Sequence, residues 1–179
     1  MPRYPQAQWV GADPHNWSGG AIQHRFIIIH VEQGTESGTA AWFHNPAAQV
    51  SSHFGIAKNG HLQQFVDTNQ TAYAEGPFNG DGISIEFEGY SGEHLTPQQL
   101  ATLRQLLNWI HLTHKTPLVL TFDPNGTGVI PHGKLPEGAL SHPDCPGQNI
   151  INDVHALLNQ MAENPLPSLP PSHVQRPLP

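Results

Sequence analysis

The chain has 179 residues, of which 37% are hydrophobic and 12% are charged, and its formal net charge is −7. This length predicts a single domain with a buried core. The acidic excess and the absence of a basic run argue against a nucleic-acid partner and against binding to anionic lipid. We also predict no membrane insertion, because the longest apolar run, Phe26–Ile29, is too short to span a bilayer.

Residues 1–24 are rich in Pro, Gly, Asn and His and show no periodicity, which predicts an irregular N-terminal arm wrapped on the domain. Trp9 and Trp17 are expected to anchor this arm by burying their large rings. No apolar h-region is present, so we predict no signal peptide and expect synthesis in the cytoplasm.

The next part of the chain reads as strands with one short helix. Arg25–His30 contains four consecutive apolar residues, which predict a central strand buried on both faces. A histidine at the end of such a strand is well placed to face a cleft. A helix and a hairpin are predicted to follow: the helix at Gly38–His44, and the two strands at Val50–Ala57 and Leu62–Val66, joined by a turn at Asn59-Gly60.

Turn residues fill Asp67–Asp81, which predicts a loop. The following segment, Ile83–Glu88, alternates apolar and polar residues, which is typical of a half-buried strand. Glu86 lies on the polar face of this predicted strand, together with Ser84 and Glu88.

The clearest helix is Thr96–His114, where Thr96 is the predicted N-cap and Gln99 completes a capping box. The remaining predictions, in chain order, are a strand at Leu118–Phe122, a strand at Val129–His132, a loop at Gly133–Leu140, a helix at Gln148–Met161 and a proline-rich tail or linker at residues 162–179. This element order predicts a mixed α/β fold, with a central mixed sheet flanked by helices.

The segment Ser141–Gly147 holds the single cysteine of the chain, Cys145, followed by Pro-Gly. With His142 and His132 nearby in sequence and His30 at the end of a strand, the chain offers imidazoles and one thiolate, a ligand set that zinc prefers. Two imidazoles and a thiolate would leave the fourth tetrahedral position open for water.

Other interpretations of these residues remain open at this point. Cys145 is equally compatible with a buried inert thiol, and a lone histidine is more often structural than a ligand. Glu86 is either a base that takes a proton from a zinc-activated water or a solvated strand carboxylate. A Cys–His nucleophile pair is disfavoured, because prolines constrain His142 locally and no oxyanion motif is visible.

Five motifs in order resemble the zinc-dependent N-acetylmuramoyl-L-alanine amidases, which share their fold with the peptidoglycan recognition proteins. The motifs are RFIIIHVEQG, AQVSSHFGIAKNGHLQQFV, GISIEFEG, VIPHGKLP and HPDCPG. The resemblance covers about residues 25–160, so we predict an amidase domain at residues 25–161.

This resemblance implies hydrolysis of the amide between N-acetylmuramic acid and L-alanine in peptidoglycan. It implies that His30, His132 and Cys145 bind Zn²⁺ and that Glu86 of ISIE is the catalytic base. His53 matches a histidine that precedes the hairpin in the family, and we predict it to be substrate-binding.

The sequence departs from the family pattern at several positions. Pro143 replaces a Lys or Thr that helps to stabilise the oxyanion, so we predict that His142 takes this catalytic role. Ser52 replaces a Tyr, and Ala72–Gly76 reads AYAEG where the family has AWHAG. In the loop that follows AYAEG, we predict Asn79 to be substrate-binding.

The alternative function is a non-catalytic module that binds muropeptides, although relatives of that kind typically lack the cysteine. A zinc hydrolase of the same fold acting on another amide is a third reading. The expected partner is peptidoglycan or a soluble muropeptide, and we expect a monomer. Both an endolysin-like enzyme and a cytoplasmic recycling amidase fit the sequence. An endolysin-like enzyme would act on the cell wall after its release or export.

Overall fold

The computed structural model describes residues 2–164. Its strands are β1 (Gln8–Trp9), β2 (Trp17–Ser18), β3 (Phe26–Val31), β4 (Phe54–Ile56), β5 (Leu62–Gln64), β6 (Thr71–Ala72), β7 (Gly82–Phe87) and β8 (Gly128–Pro131). Its α-helices are α1 (Glu36–Phe43), α2 (Pro97–His114), α3 (Pro136–Ser141) and α4 (Gln148–Glu163). None of the helices in this part of the chain is long and apolar enough to cross a membrane.

Six strands form one mixed sheet in the order β1-β5-β4-β7-β3-β8, while β2 and β6 form a separate antiparallel pair. Strand β3 runs parallel to both β7 and β8, and β4 runs parallel to β7. The hairpin predicted at Asn59-Gly60 is confirmed, because β4 and β5 pair antiparallel across that turn. The predicted mixed α/β fold with a central sheet is therefore correct.

Strand β3 lies inside the sheet, between β7 and the edge strand β8, and all six of its residues are buried. Ile27 and Ile29 belong to the main core, whereas Phe26 and Ile28 lie in a smaller cluster on the other side. Parallel strands that are buried on both faces read as continuous apolar runs, which is why the sequence pattern predicted this strand correctly.

The main core lies between the sheet and the helices α2 and α4, whose apolar residues share one cluster with the sheet. Helix α2 begins as predicted: the Thr96 side chain accepts from the Gln99 N–H, and the Gln99 side chain accepts from the Thr96 N–H. This reciprocal cap satisfies two of the N–H groups that a helix start otherwise leaves unpaired.

Several short elements have different bounds from those predicted, including β5, which ends at Gln64, and β8, which runs from Gly128 to Pro131. Helix α1 begins two residues before the predicted Gly38, because the Thr35 hydroxyl caps it by accepting from the Gly38 N–H. Strand β4 begins only at Phe54, since Ser51 bonds instead to the N-terminal segment, with its hydroxyl donating to the Asn16 carbonyl.

Four predictions about individual elements are wrong. The predicted loop at Asp67–Asp81 contains β6, which pairs with β2. Strand β7 is not half-buried but almost fully buried, because it lies between β3 and β4. The segment predicted as a strand at Leu118–Phe122 makes only an isolated bridge, from Leu120 to Val129. The predicted loop at Gly133–Leu140 contains α3, which has Pro136 in its first turn, where the missing N–H of proline costs nothing.

The N-terminal segment is more regular than predicted, because it contributes β1 to the sheet edge and β2 to the small pair. Trp9 is 40% exposed and is therefore not a buried anchor. Asn16 is fully buried instead, and its amide donates to the carbonyls of Phe43 and Asn45. At the other end, α4 continues to Glu163, and the rest of the predicted proline-rich tail lies outside the described residues from 165 onward.

Candidate metal centre and active site

His30 and Glu86 meet at the carboxyl ends of neighbouring parallel strands. They are register partners on β3 and β7, so their side chains project from the same face of the sheet. The distance from His30 Nδ1 to Glu86 Oε1 is 3.9 Å. This face is the one opposite α2 and α4, and it forms the floor of a cleft.

His132 arrives from the next strand, directly after β8, which pairs with the other side of β3. Two glycines allow the chain to pack tightly here. A Cβ on Gly133 would lie 2.6 Å from the Pro143 carbonyl oxygen and 2.9 Å from that of Cys145, and a Cβ on Gly138 would overlap the His132 backbone. Both glycines are needed for close approach rather than for an unusual φ.

Cys145 reaches the same point from a tight turn. The Cys145 N–H donates to the His142 carbonyl at 2.9 Å, and the Gly133 N–H donates to the Cys145 carbonyl at 2.8 Å. The Cys145–Pro146 peptide bond is cis. The turn thus docks directly on the residue that follows His132.

These contacts bring together His30, His132 and Cys145, with ligand atoms that all lie within 4.8 Å of one another. Both histidines are buried, and the cysteine is partly buried. Two imidazole nitrogens and one sulfur around a common point are the donor set of a zinc site with one open position. The residues present therefore fit a zinc ion.

Burial disfavours the charged form of every group at this point. Burial lowers the pKa of His30 to about 3. Burial raises the pKa of Cys145 to about 12 and the pKa of Glu86 to about 8, and neighbouring carboxylates contribute to both of these increases. Glu86 Oε2 is buried and has no hydrogen-bond partner within residues 2–164. A cation beside these groups would oppose the shifts of Cys145 and Glu86, because it stabilises a thiolate and a carboxylate, and it would keep His30 in its neutral form.

A carboxylate lies behind each histidine, and the sequence analysis missed both carboxylates. His30 Nε2 lies 3.0 Å from Glu75 Oε1, and His132 Nε2 lies 2.9 Å from Glu137 Oε2. Each imidazole therefore has its Nε2 occupied and its Nδ1 left for a metal. The only signal for Glu75 in the sequence was its place in AYAEG, where the family pattern has no acid.

His142 lies at the rim of the site and lines the cleft. Its ring centroid is 5.4 Å from that of His132, and its Nδ1 lies 2.7 Å from the Ser141 hydroxyl. His142 also belongs to a second group of potential ligand atoms within 4.8 Å, together with His132 and Glu137.

The cleft above these groups has a volume of about 540 Å³. Trp42 of α1 and Tyr73 contribute aromatic side chains to its walls. Glu32 also lines it, with a pKa that burial raises to about 7 and with one carboxylate oxygen that is buried without a partner in the described part of the chain. These three residues were not singled out from the sequence, since nothing in their local pattern marks them.

The two residues predicted to bind substrate do not line this cleft. His53 is fully buried between Ser84 and the Gln70 carbonyl. The Asn79 side chain is used internally, where its oxygen accepts from the backbone N–H groups of Ala74 and Glu75.

A family model and a curated relative that match this chain carry the same amidase description. The family model described as N-acetylmuramoyl-L-alanine amidase matches residues 20–148. N-acetylmuramoyl-L-alanine amidase A of Achromobacter lyticus is 33% identical over 91 residues, which are 50% of this chain and 51% of that protein. The chain thus spans about half the length of this curated relative.

Two solved structures show the same fold. The N-acetylmuramoyl-L-alanine amidase endolysin LysCS from Clostridium intestinale has a TM-score of 0.61 at 19% identity, covering 89% of this chain and 99% of its own. The Drosophila peptidoglycan recognition protein SA has a TM-score of 0.58 at 14% identity, covering 77% of this chain and 81% of its own.

Proposed function

The chain belongs to the N-acetylmuramoyl-L-alanine amidase family, and on that premise we propose that it hydrolyses the amide between N-acetylmuramic acid and L-alanine in peptidoglycan. One observation carries the proposal: the donor atoms of His30, His132 and Cys145 converge at the floor of a cleft beside Glu86, whose Oε2 has no hydrogen-bond partner among residues 2–164. This arrangement combines a zinc ligand set with a base, as amide hydrolysis by an activated water requires.

His30 and His132 would hold zinc through Nδ1, and Cys145 would hold it through its sulfur. When bound, zinc supplies Lewis acidity, lowering the pKa of a water molecule to about 7 and polarising the scissile carbonyl. The low exposure of both histidines keeps bulk water away from the ligands, which strengthens the electrostatic interactions in the site.

Glu86 acts as the general base. Its carboxylate is 3.9 Å from His30 Nδ1 and makes no hydrogen bond with the described residues, so it is free to accept a proton from the attacking water. It then donates this proton to the leaving amine of L-alanine. A pKa raised towards neutrality by burial suits a group that must both accept and release a proton.

His142 stabilises the oxygen of the scissile carbonyl as negative charge develops on it. The ring lies at the cleft rim, and the Ser141 hydroxyl beside Nδ1 fixes its orientation, which leaves Nε2 for substrate. Because the Ser141 hydroxyl itself donates to Glu137, His142 Nδ1 donates to it, and Nε2 donates to substrate in the doubly protonated ring. Trp42 and Tyr73 provide apolar surface for the sugar and the peptide stem.

The experiment measures zinc content and the release of stem peptide from purified peptidoglycan. We expect the zinc-loaded wild type to expose new L-alanine amino termini. We expect Glu86→Gln to keep its zinc and to lose at least about 100-fold in kcat, because a general base contributes at least that much to the rate. Rates near wild type would remove Glu86 as the base.

A comparison of intact sacculi with soluble anhydro-muropeptides then identifies the preferred substrate. Wild-type protein that binds zinc and muropeptides but releases no stem peptide would contradict the proposal and would identify a recognition module instead. Cleavage of other amides but not of peptidoglycan would identify a different hydrolase of the same fold.

A further inference from the structure

Glu75 is a carboxylate enclosed in the protein directly behind His30. Its exposed fraction is 0%, and its Oε1 lies 3.0 Å from His30 Nε2. Its other oxygen, Oε2, has no hydrogen-bond partner within residues 2–164. A buried carboxylate is costly unless it is paired, so a role in the pair with His30 is the natural explanation for its presence.

The backbone around Glu75 is held in place by Asn79. The Asn79 side-chain oxygen accepts from the Ala74 N–H at 3.0 Å and from the Glu75 N–H at 2.6 Å. The Phe78 N–H closes the turn by donating to the Glu75 carbonyl at 3.0 Å. This turn fixes where the Glu75 side chain begins, so the carboxylate is preorganised towards the imidazole.

The pair decides which nitrogen of His30 carries the proton. A carboxylate beside Nε2 favours the tautomer with the proton on Nε2, and this tautomer leaves the lone pair of Nδ1 directed at the cleft, on the side of Glu86. A carboxylate hydrogen-bonded to a ligating imidazole also makes the imidazole a stronger donor to the metal.

The two histidine–carboxylate pairs are not equivalent. The Glu137 side chain behind His132 is 30% exposed, whereas that of Glu75 is wholly enclosed. Burial raises the pKa of Glu75 to about 8, which disfavours its charged form without a metal, whereas a cation at the metal position would favour that form. Water screens the Glu137 pair and not the Glu75 pair, so the charge of Glu75 would then act on the metal position with less attenuation.

We propose that Glu75 is a positioning residue, which sets the His30 tautomer and raises the affinity of the site for zinc, and that Asn79 holds Glu75 in place. This inference rests on the proposed function, because it takes His30 as a zinc ligand. It also reassigns Asn79, which the sequence analysis predicted to bind substrate.

The test compares zinc affinities, measured by competition with a chromophoric chelator, for wild type, Glu75→Gln and Glu75→Ala. Glutamine keeps the shape and the acceptor oxygen but removes the charge, and alanine removes both. We expect weaker binding in both variants, with Glu75→Ala weakened about 10–100-fold and Glu75→Gln weakened less. Glu163→Gln, which makes the same chemical change at an exposed position at the end of α4, is the matched control and should bind zinc like wild type.

A second readout does not depend on bound metal. In the zinc-free protein, ¹⁵N NMR of the His30 ring should show the proton on Nε2 in wild type and in Glu75→Gln, and a mixture of tautomers in Glu75→Ala. Asn79→Ala should shift the tautomer ratio in the same direction by a smaller amount. A purely structural role for Glu75 would change the thermal stability without changing the tautomer.

The outcomes separate this inference from the proposed function. If wild type binds no zinc, the proposed function is refuted. If wild type binds zinc and the zinc affinity of Glu75→Gln is within twofold of the wild-type affinity, only the role of Glu75 is overturned. If Glu75→Ala does not fold, the isosteric Glu75→Gln decides alone.

Discussion

His53 shows how the surroundings of one residue determine its charge. Its Nδ1 accepts from the Ser84 N–H at 3.0 Å, and its Nε2 donates to the Gln70 carbonyl at 2.9 Å. Both nitrogens are satisfied only in the neutral ring, because a proton on Nδ1 would remove the acceptor. Burial lowers the pKa of His53 from 6.5 to about 4, in agreement with this geometry.

The lowered pKa predicts a loss of stability in acid. Between pH 6.5 and pH 4 the unfolded chain binds a proton at His53 and the folded chain does not, so the free energy of unfolding falls as the pH falls. The contribution of His53 reaches about 3 kcal/mol at pH 4, from about 1.4 kcal/mol per pKa unit. Urea unfolding of wild type and of His53→Gln, both with a chelator present, measures it.

We expect wild type to be the more stable of the two at pH 7 and to lose this advantage by pH 4, since glutamine does not titrate. Parallel pH profiles for the two proteins would contradict the assignment. Comparing the two proteins cancels the titration of the other buried groups.

At the scale of elements, the site depends on how closely two loops dock. The turn that carries Cys145 packs on Gly133, and α3 packs through Gly138 on the backbone of His132. Neither contact leaves space for a Cβ. The positions of two of the proposed metal ligands, His132 and Cys145, are therefore set by backbone packing between loops.

Gly133→Ala tests this docking. The added Cβ would push the Cys145 turn away from His132, so we expect about 1–3 kcal/mol of destabilisation from overpacking, together with weaker zinc binding. Denaturant unfolding and chelator competition measure the two effects. Gly19→Ala is the control, because a Cβ at Gly19 has nothing within 4 Å, and it should change neither quantity. Zinc affinity unchanged in Gly133→Ala would show that the two ligands do not depend on this contact.

At the scale of the whole molecule, the proposed metal would link three distant parts of the chain, because His30, His132 and Cys145 come from β3, the end of β8 and the turn before α4. A ligand that binds only the folded state stabilises it by an amount that depends on its concentration. The unfolded chain does not hold these three groups together.

We therefore expect zinc at 100 times its dissociation constant to add about 2.7 kcal/mol to the free energy of unfolding. For a chain of this size, that corresponds to a rise in melting temperature of about 5–10 °C, reversed by a chelator. Cys145→Ser should lose most of the rise, because a hydroxyl is a poor ligand compared with a thiolate. Equal melting temperatures with zinc and with chelator in wild type would argue against a metal held by these three residues.

Much of the fold could be predicted from the sequence, because its main elements carry their own local patterns. The apolar run of β3 and the capping box of α2 gave their elements with small errors at the ends. The alternation at β7 correctly placed Glu86 on the face opposite the core. The donor chemistry of His30, His132 and Cys145 made a zinc site one open interpretation, and the resemblance to the family assigned these residues as its ligands.

What the tertiary structure alone decided concerns contacts between segments far apart in sequence. The helix α3 escaped prediction because Gly138 lowers its helix propensity, and the need for that glycine arises only from the packing on His132. Glu75 carried no local signal, and Asn79 was predicted to bind substrate, because the roles now proposed for them depend on the turn that brings the carboxylate to His30, 45 positions away in the chain. Local pattern thus determined the strands and helices, while long-range backbone packing determined which side chains meet, because a close approach between two loops leaves no periodic signal in either one.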